Sequence, residues 1–170
     1  MNELSSASEG SAIKRLALGA LPMLVIAIVT WACYAHTLDG EFIFDDFQNI
    51  VENPNLHMTE FNADSLMNSL SGSPTPRPVA NLSFALNHYF GGLEVAGYHA
   101  VNTIIHMLAG FAVYLLARRL FPLLIKRELT QAEITMMSLG VALVFVAHPI
   151  QTQSVTYIVQ RMTSLCALFY

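Results

Sequence analysis

The chain has 170 residues, of which 54% are hydrophobic and only 12% charged, with a net charge of −4 and a mean hydropathy of +0.50. Soluble domains carry roughly a quarter charged residues, so this composition excludes an ordinary soluble globule and defines an integral membrane protein. The chain has no glycine-rich phosphate loop, dinucleotide fingerprint, internal repeat or basic patch, which sets aside nucleotide chemistry and a nucleic-acid partner.

Residues 1–12 are polar and serine-rich and read as a disordered cytoplasmic tail. From about residue 16 to 36 the chain carries no Asp, Glu, Lys or Arg. At about 1.5 Å per residue such a run crosses a hydrocarbon core of roughly 30 Å. It is too long for a signal-peptide core and leads into Trp31-Ala-Cys-Tyr-Ala-His36 rather than a small-residue cleavage site, so an uncleaved anchor is expected. The residues before Cys33 are a poor match to a lipoprotein site. Cys33 and Cys166 are both in apolar context and indicate no disulfide framework.

Further spans are expected at about 98–117 and 134–148, with the start of a fourth at about 161. The chain stops inside that last apolar run, an ending expected of a truncation. Of eight Lys and Arg, six (Lys14, Arg15, Arg118, Arg119, Lys126 and Arg127) flank the first three spans on one side. The positive-inside rule makes that side cytoplasmic, so the protein is expected to be multi-pass, in a bacterial inner membrane or the ER membrane, with a cytoplasmic N-terminus. The outer loop, residues 38–97, then holds eight of the twelve acidic residues.

Within that loop, Asp45 and Asp46 form a vicinal pair in Phe-Ile-Phe-Asp-Asp-Phe directly after the first span. Carboxylates at a membrane boundary are costly to desolvate and point to function. Asn53-Pro-Asn55 is turn chemistry, 59–70 is expected as a short surface helix, and Ser71-Gly-Ser-Pro-Thr-Pro-Arg-Pro78 as an irregular crossing. Residues 79–90 place Leu82, Leu86 and Phe90 at a spacing of four, as in an amphipathic interfacial helix that Gly91-Gly92 ends. On the second span His99, Asn102 and His106 share a stripe, an inward polar seam that His148 is expected to join. Interhelical hydrogen bonding is the expected role of these residues, and no metal site is expected. After His148-Pro149 an amphipathic helix is expected, with Val155, Ile158, Val159 and Met162 on one face and Gln153, Thr156, Tyr157 and Gln160 on the other. Arg161 falls near the edge of that polar face and is a candidate anion binder. Asn81-Leu-Ser83 matches a glycosylation acceptor and is read as chance.

Four groups of residues carry a family resemblance: Phe44-Asp45-Asp46 with Asn53-Pro54; Arg77-Pro78-Val79 with Leu82-Ser83-Phe84 and Leu86-Asn87; Gly97-Tyr98-His99 with Asn102 and His106; and His148-Pro149 with Gln151-Thr152 and Gln160-Arg161. Over residues 14–170 the chain resembles the amino-terminal membrane portion of the transmembrane, TPR-containing O-mannosyltransferase-like proteins of the GT-C class. The resemblance implies an all-α polytopic fold and transfer of a mannose-like sugar from a polyprenyl-phosphate donor to a protein hydroxyl on the outer side, within membrane lipid. It also implies an acidic residue of the first outer loop as general base.

Chemistry agrees with that implication, because a Ser or Thr hydroxyl is a poor nucleophile until a base takes its proton. Only one of Asp45 and Asp46 is expected to face the sugar, and Asp45 is preferred. The other can hold the acceptor, tune its neighbour's pKa or bind a divalent cation that neutralises the departing phosphate. For the donor phosphate the outer side offers Arg161, the first choice, and Arg77. A GT-C core needs more spans than this chain supplies, and the TPR region the resemblance implies is absent from it, so these residues are not expected to act alone. The alternative expectation is a non-catalytic membrane anchor or scaffold, or an inactive remnant.

Overall fold

The computed structural model of the protein describes residues 19–71 and 77–169. The expected tail, the Lys14-Arg15 pair, most of the irregular crossing and residue 170 lie outside the described residues.

The described chain is all-α. Helix α1 (19–34) runs into a tight 3-10 turn, Ala35–Asp39. Pro22, Ile26, Thr30 and Tyr34, at a spacing of four, are buried, while Leu21, Leu24, Ile28 and Trp31 on the far side are exposed. This stripe of large apolar side chains suits a lipid-facing surface. Helix α2 spans Ala63–Ser71, α3 Pro78–Gly91, α4 Val95–Leu124 and α5 Gln131–Ala147. By length and composition two helices can cross a membrane, Gly19–Asp39 and Val95–Leu124, and a third span forms if Gln131–Ala147 and Pro149–Thr156, bent by 49°, count as one.

Helix α4 is longer than the run of 98–117 expected from hydropathy. Arginine is a good helix former, and Arg118 folds back on its own helix, its Nη1 3.5 Å from Tyr114 Oη and its guanidinium 5.7 Å from that ring. Helix α5 starts on a capping box: Thr130 accepts from Glu133 N–H, Glu133 accepts from Thr130 N–H, and Arg127 pairs with Glu133 at 2.7 Å.

Ile26, Tyr114, Ala142 and Val146 join α1, α4 and α5 in one apolar core. Gly110 sets their separation, because a Cβ there would lie 2.5 Å from Val146 Cγ1 and 3.1 Å from Ile26 Cγ2. Gly110→Leu is therefore expected to force the three helices apart and to cost about 1–3 kcal/mol or more, as overpacked cores do. Thermal unfolding in nanodiscs reads this directly, and an unchanged melting temperature would contradict the packing.

A second core gathers the outer elements, with Ile50, Leu56, Ala80, Phe84, Tyr98, Ile158 and Met162 buried together. Around it lie a wide π-type turn, Phe47–Val51, the short turn Pro54–Leu56 with Asn53 Oδ1 accepting from Asn55 N–H, and α3. Gly92, at φ +59°, takes the left-handed conformation that turns the chain from α3 into α4.

The amphipathic helix expected after His148 is not continuous. Pro149–Gln151 is a 3-10 turn, α6 covers only Thr152–Thr156, the backbone extends at Tyr157 (ψ 111°), Ile158–Gln160 is another tight turn, and α7 begins at Arg161 and runs to Phe169. The break turns Arg161 inward, away from the polar face the uninterrupted periodicity gave it.

Candidate functional site

A helix broken at Tyr157 leaves backbone groups without intrahelical partners, and buried orphans of this kind must be satisfied elsewhere. Two side chains do this. The amide of Asn102 donates to the carbonyls of Val155 (3.2 Å) and Ile158 (3.3 Å). Asp46 Oδ1 accepts the N–H of Val159 at 2.7 Å, while its Oδ2 accepts the N–H of Ile43 at 3.0 Å. Asp46 is thus a staple between the segment after α1 and the break before α7, and it is fully buried.

Asp45 is placed oppositely. Its side chain is exposed and has no hydrogen-bond partner among the described residues, whereas its backbone is held at both ends. Its N–H donates to Tyr157 Oη at 3.0 Å and its carbonyl accepts from Asn49 Nδ2 at 2.8 Å. The residue before it, Phe44, has φ +46° and a ring 81% exposed. A bulky residue in the left-handed region is strained by about 1–3 kcal/mol and persists only where its surroundings enforce it. Here that conformation immediately precedes the two neighbouring carboxylates, one of which is buried and the other exposed.

Burial pushes the Asp46 carboxyl above its ordinary value, and the charge of Asp45 adds to that; the N–H groups of Ile43 and Val159 act in the other direction. A carboxyl raised in the folded state contributes stability that is fully present below its unfolded value and lost as pH rises through the folded one. Raising the pH through and above the ordinary carboxylate range is therefore expected to lower the wild-type melting temperature more than that of Asp46→Asn. Parallel pH profiles for the two proteins would contradict this.

Arg161 is the hub of the outer assembly. Its Nε–H donates to Asn102 Oδ1 (2.7 Å), Nη1 to Asn87 Oδ1 (2.7 Å) and Ser83 Oγ (3.3 Å), and Nη2 to the Tyr98 carbonyl (2.8 Å). The guanidinium stacks over Phe84 at 4.4 Å, and the side chain is fully buried. Four of its five donors are engaged by neutral acceptors, and no carboxylate among the described residues forms an ion pair with it. Its burial differs from the expected place near the edge of a polar face.

Arg77 is exposed at the start of α3, with Nη1 3.0 Å from Met162 Sδ. It lines a groove of about 210 Å³ together with Val79, Met162, Leu165, Cys166 and Phe169. Of the stripe on α4, His99, Asn102 and His106 are all buried but do not converge on one partner. His106 Nε2 meets the Val146 carbonyl at 3.1 Å, and His99 packs against Gly40 with neither ring nitrogen hydrogen-bonded. His148 is not in this seam. It is exposed and caps the turn after α5, Nδ1 accepting from Ile150 N–H at 3.2 Å, because the bend at Pro149 carries it out of the bundle. Among the described residues no three His, Cys, Asp or Glu side chains are gathered as a metal site. The periodicity gave no partners for Tyr157, Ser83 and Asn87; the signals for Ser83 and Asn87 were their place among the residues that carry the resemblance and their spacing of four on one face of α3.

An all-α membrane protein with a buried polar assembly above its helix bundle is the class these features define. Among curated proteins the chain is 33% identical over 164 residues to protein O-mannosyl-transferase TMTC4 of Homo sapiens, covering 86% of this chain and 21% of that protein. It is 32% identical over 155 residues to protein O-mannosyl-transferase TMTC3 of Mus musculus, covering 86% and 15%. To protein O-mannosyl-transferase Tmtc1 of Drosophila melanogaster it is 31% identical over 141 residues, covering 78% and 15%. By sequence the chain resembles members of the protein O-mannosyl-transferase TMTC family over most of its own length, and it spans about a fifth or less of the length of these curated relatives. No family model and no solved structure matches it.

Proposed function

We propose that the chain is the base-carrying part of a membrane glycosyltransferase of the GT-C class, which moves a mannose-like sugar from a polyprenyl-phosphate donor to a Ser or Thr hydroxyl of a protein. The observation that carries this is the division of the carboxylate pair, with both oxygens of Asp46 holding backbone and the Asp45 carboxylate left open. In the reaction the acceptor oxygen attacks the anomeric carbon, Asp45 takes the hydroxyl proton, the bond to the phosphate oxygen breaks, and the polyprenyl phosphate leaves with that electron pair. A single displacement inverts the anomeric centre.

Arg77 is the cation for the departing phosphate, with the polyprenyl chain in the apolar groove beside it. Arg161, Asn102 and Asp46 are positioning residues. The reacting side is extracytoplasmic, because Tyr98 and the Arg118-Arg119 pair are 20 residues apart on α4, about 30 Å at 1.5 Å per residue, and the basic end is the cytoplasmic one. The protein is accordingly multi-pass with a cytoplasmic N-terminus.

The test is sugar transfer from a polyprenyl-phosphate mannose to a Ser/Thr peptide in membranes carrying this chain, alone and with whatever coding sequence continues past residue 170. Transfer in either form that is lost in Asp45→Asn supports the reading. Absence of transfer from both forms overturns it.

A further inference from the structure

The surface beside Asp45 is lined by uncharged groups only. Phe44 and Ile43 form one rim, Pro149 and Ile150 the other, and Thr152, Gln153, Thr156 and Tyr157 complete the lining of a cleft of about 610 Å³. A second hollow shares Ile150 and Gln153 with it and adds Gln151, Ser154 and Gln160. Phe44 and Ile150 are 81% and 76% exposed.

Tyr157 joins this surface to the base. Its oxygen already accepts the Asp45 N–H, so the phenol's own proton is available to a further acceptor. Phe44, whose backbone is strained, presents its ring at the rim next to Asp45. Strain of this kind is kept where function needs it.

We infer that this cleft is the acceptor-polypeptide subsite of the transferase proposed above, and that it selects an extended Ser- or Thr-bearing segment with uncharged or basic flanks. The inference rests on that reading. Extended polypeptide carries a row of backbone N–H and C=O groups that no regular structure satisfies. Neutral amide and hydroxyl side chains such as Gln153, Gln160 and Thr152 pair with either kind. The two apolar rims take side chains that alternate along an extended strand. The lining carries no charge of its own, and Asp45, next to Phe44 and bonded through its N–H to Tyr157, is the carboxylate beside it, so it favours basic flanks and repels acidic ones.

The experiment compares Ser/Thr peptides with Lys, Gln or Glu flanks, on wild-type protein and on Phe44→Gly and the Ile150→Ala, Gln153→Ala pair. Glycine accepts the positive φ, so Phe44→Gly removes the ring without adding strain. Expected results are a KM for the Glu-flanked peptide three- to tenfold above that for the Lys-flanked one, and a rise of about tenfold in peptide KM in both variants, with donor KM unmoved. Equal KM values for all flanks and all variants would overturn the subsite and leave the transferase reading standing. If neither this chain nor its extended form transfers sugar, that reading fails by itself. A benzophenone-bearing Ser/Thr peptide then reads the cleft separately. Crosslinks at residues 149–157 support it; crosslinks elsewhere, or quenching of a label at residue 150 by brominated lipid, overturn it.

Discussion

Arg161→Ala is expected to destabilise the outer assembly by about 3 kcal/mol or more, since buried acceptors left without donors cost roughly 1–3 kcal/mol each and the lost side chain leaves a cavity. Asn102 Oδ1, Asn87 Oδ1, Ser83 Oγ and the Tyr98 carbonyl would all lose a donor at once, and Phe84 would lose the plane stacked on it. Arg161→Lys should fall between the two, because three donors on a flexible stem cannot span four acceptors fixed by a planar fork. Denaturant or thermal unfolding in nanodiscs gives the order. Arg77→Ala provides the contrast, since Arg77 is exposed: its melting temperature should not move, while the donor's KM rises. An Arg161→Ala protein of wild-type stability would mean that the hydrogen-bonded hub does not hold the fold and would return Arg161 to the role of phosphate ligand.

Asp45→Ala is expected to lower sugar transfer by about 10²- to 10⁴-fold, the usual contribution of a positioned base. Stability should hardly change, because no described residue depends on that carboxylate. Formate added to the Asp45→Ala protein should restore part of the rate, as a small carboxylate can enter the space the side chain vacated and take the proton. Transfer that stays low at every formate concentration, in a protein that still binds donor, would place Asp45 in substrate positioning rather than proton transfer.

The helical architecture was legible because it rests on composition and period. The uncharged run at 16–36 is a local property of the sequence. Helix α3 fell within a few residues of expectation because Pro78 and Gly91 mark its ends, and α5 begins at Gln131, three residues before the expected 134, on a Thr130 to Glu133 capping box that hydropathy alone does not show. The candidate site was legible only as a set of residues. Alternation along an extended segment would separate Asp45 from Asp46, but the two sit in a helical turn, Asp46 at φ −59° and ψ −37°, and which one turns inward depends on an N–H at Val159, 113 residues away. Arg161 was misplaced because its position was projected along an unbroken helix. The extended backbone at Tyr157 is a tertiary outcome, made affordable by the Asn102 amide and the Asp46 carboxylate that satisfy the groups it frees. His148 was misplaced by the same projection, since Pro149 bends the chain at the end of α5.

The most direct measurement is a comparison of Asp45→Asn and Asp46→Asn by two readouts, sugar transfer to a Ser/Thr peptide and melting temperature in the same membranes. Asparagine keeps the shape of either side chain but offers one acceptor oxygen where Asp46 uses two. Asp45→Asn is expected to lose transfer and keep its melting temperature, while Asp46→Asn retains measurable transfer and melts lower at neutral pH or has a flatter pH dependence than the wild type. Loss of transfer in Asp46→Asn with wild-type melting behaviour, and full transfer in Asp45→Asn, would contradict Asp45 as the base.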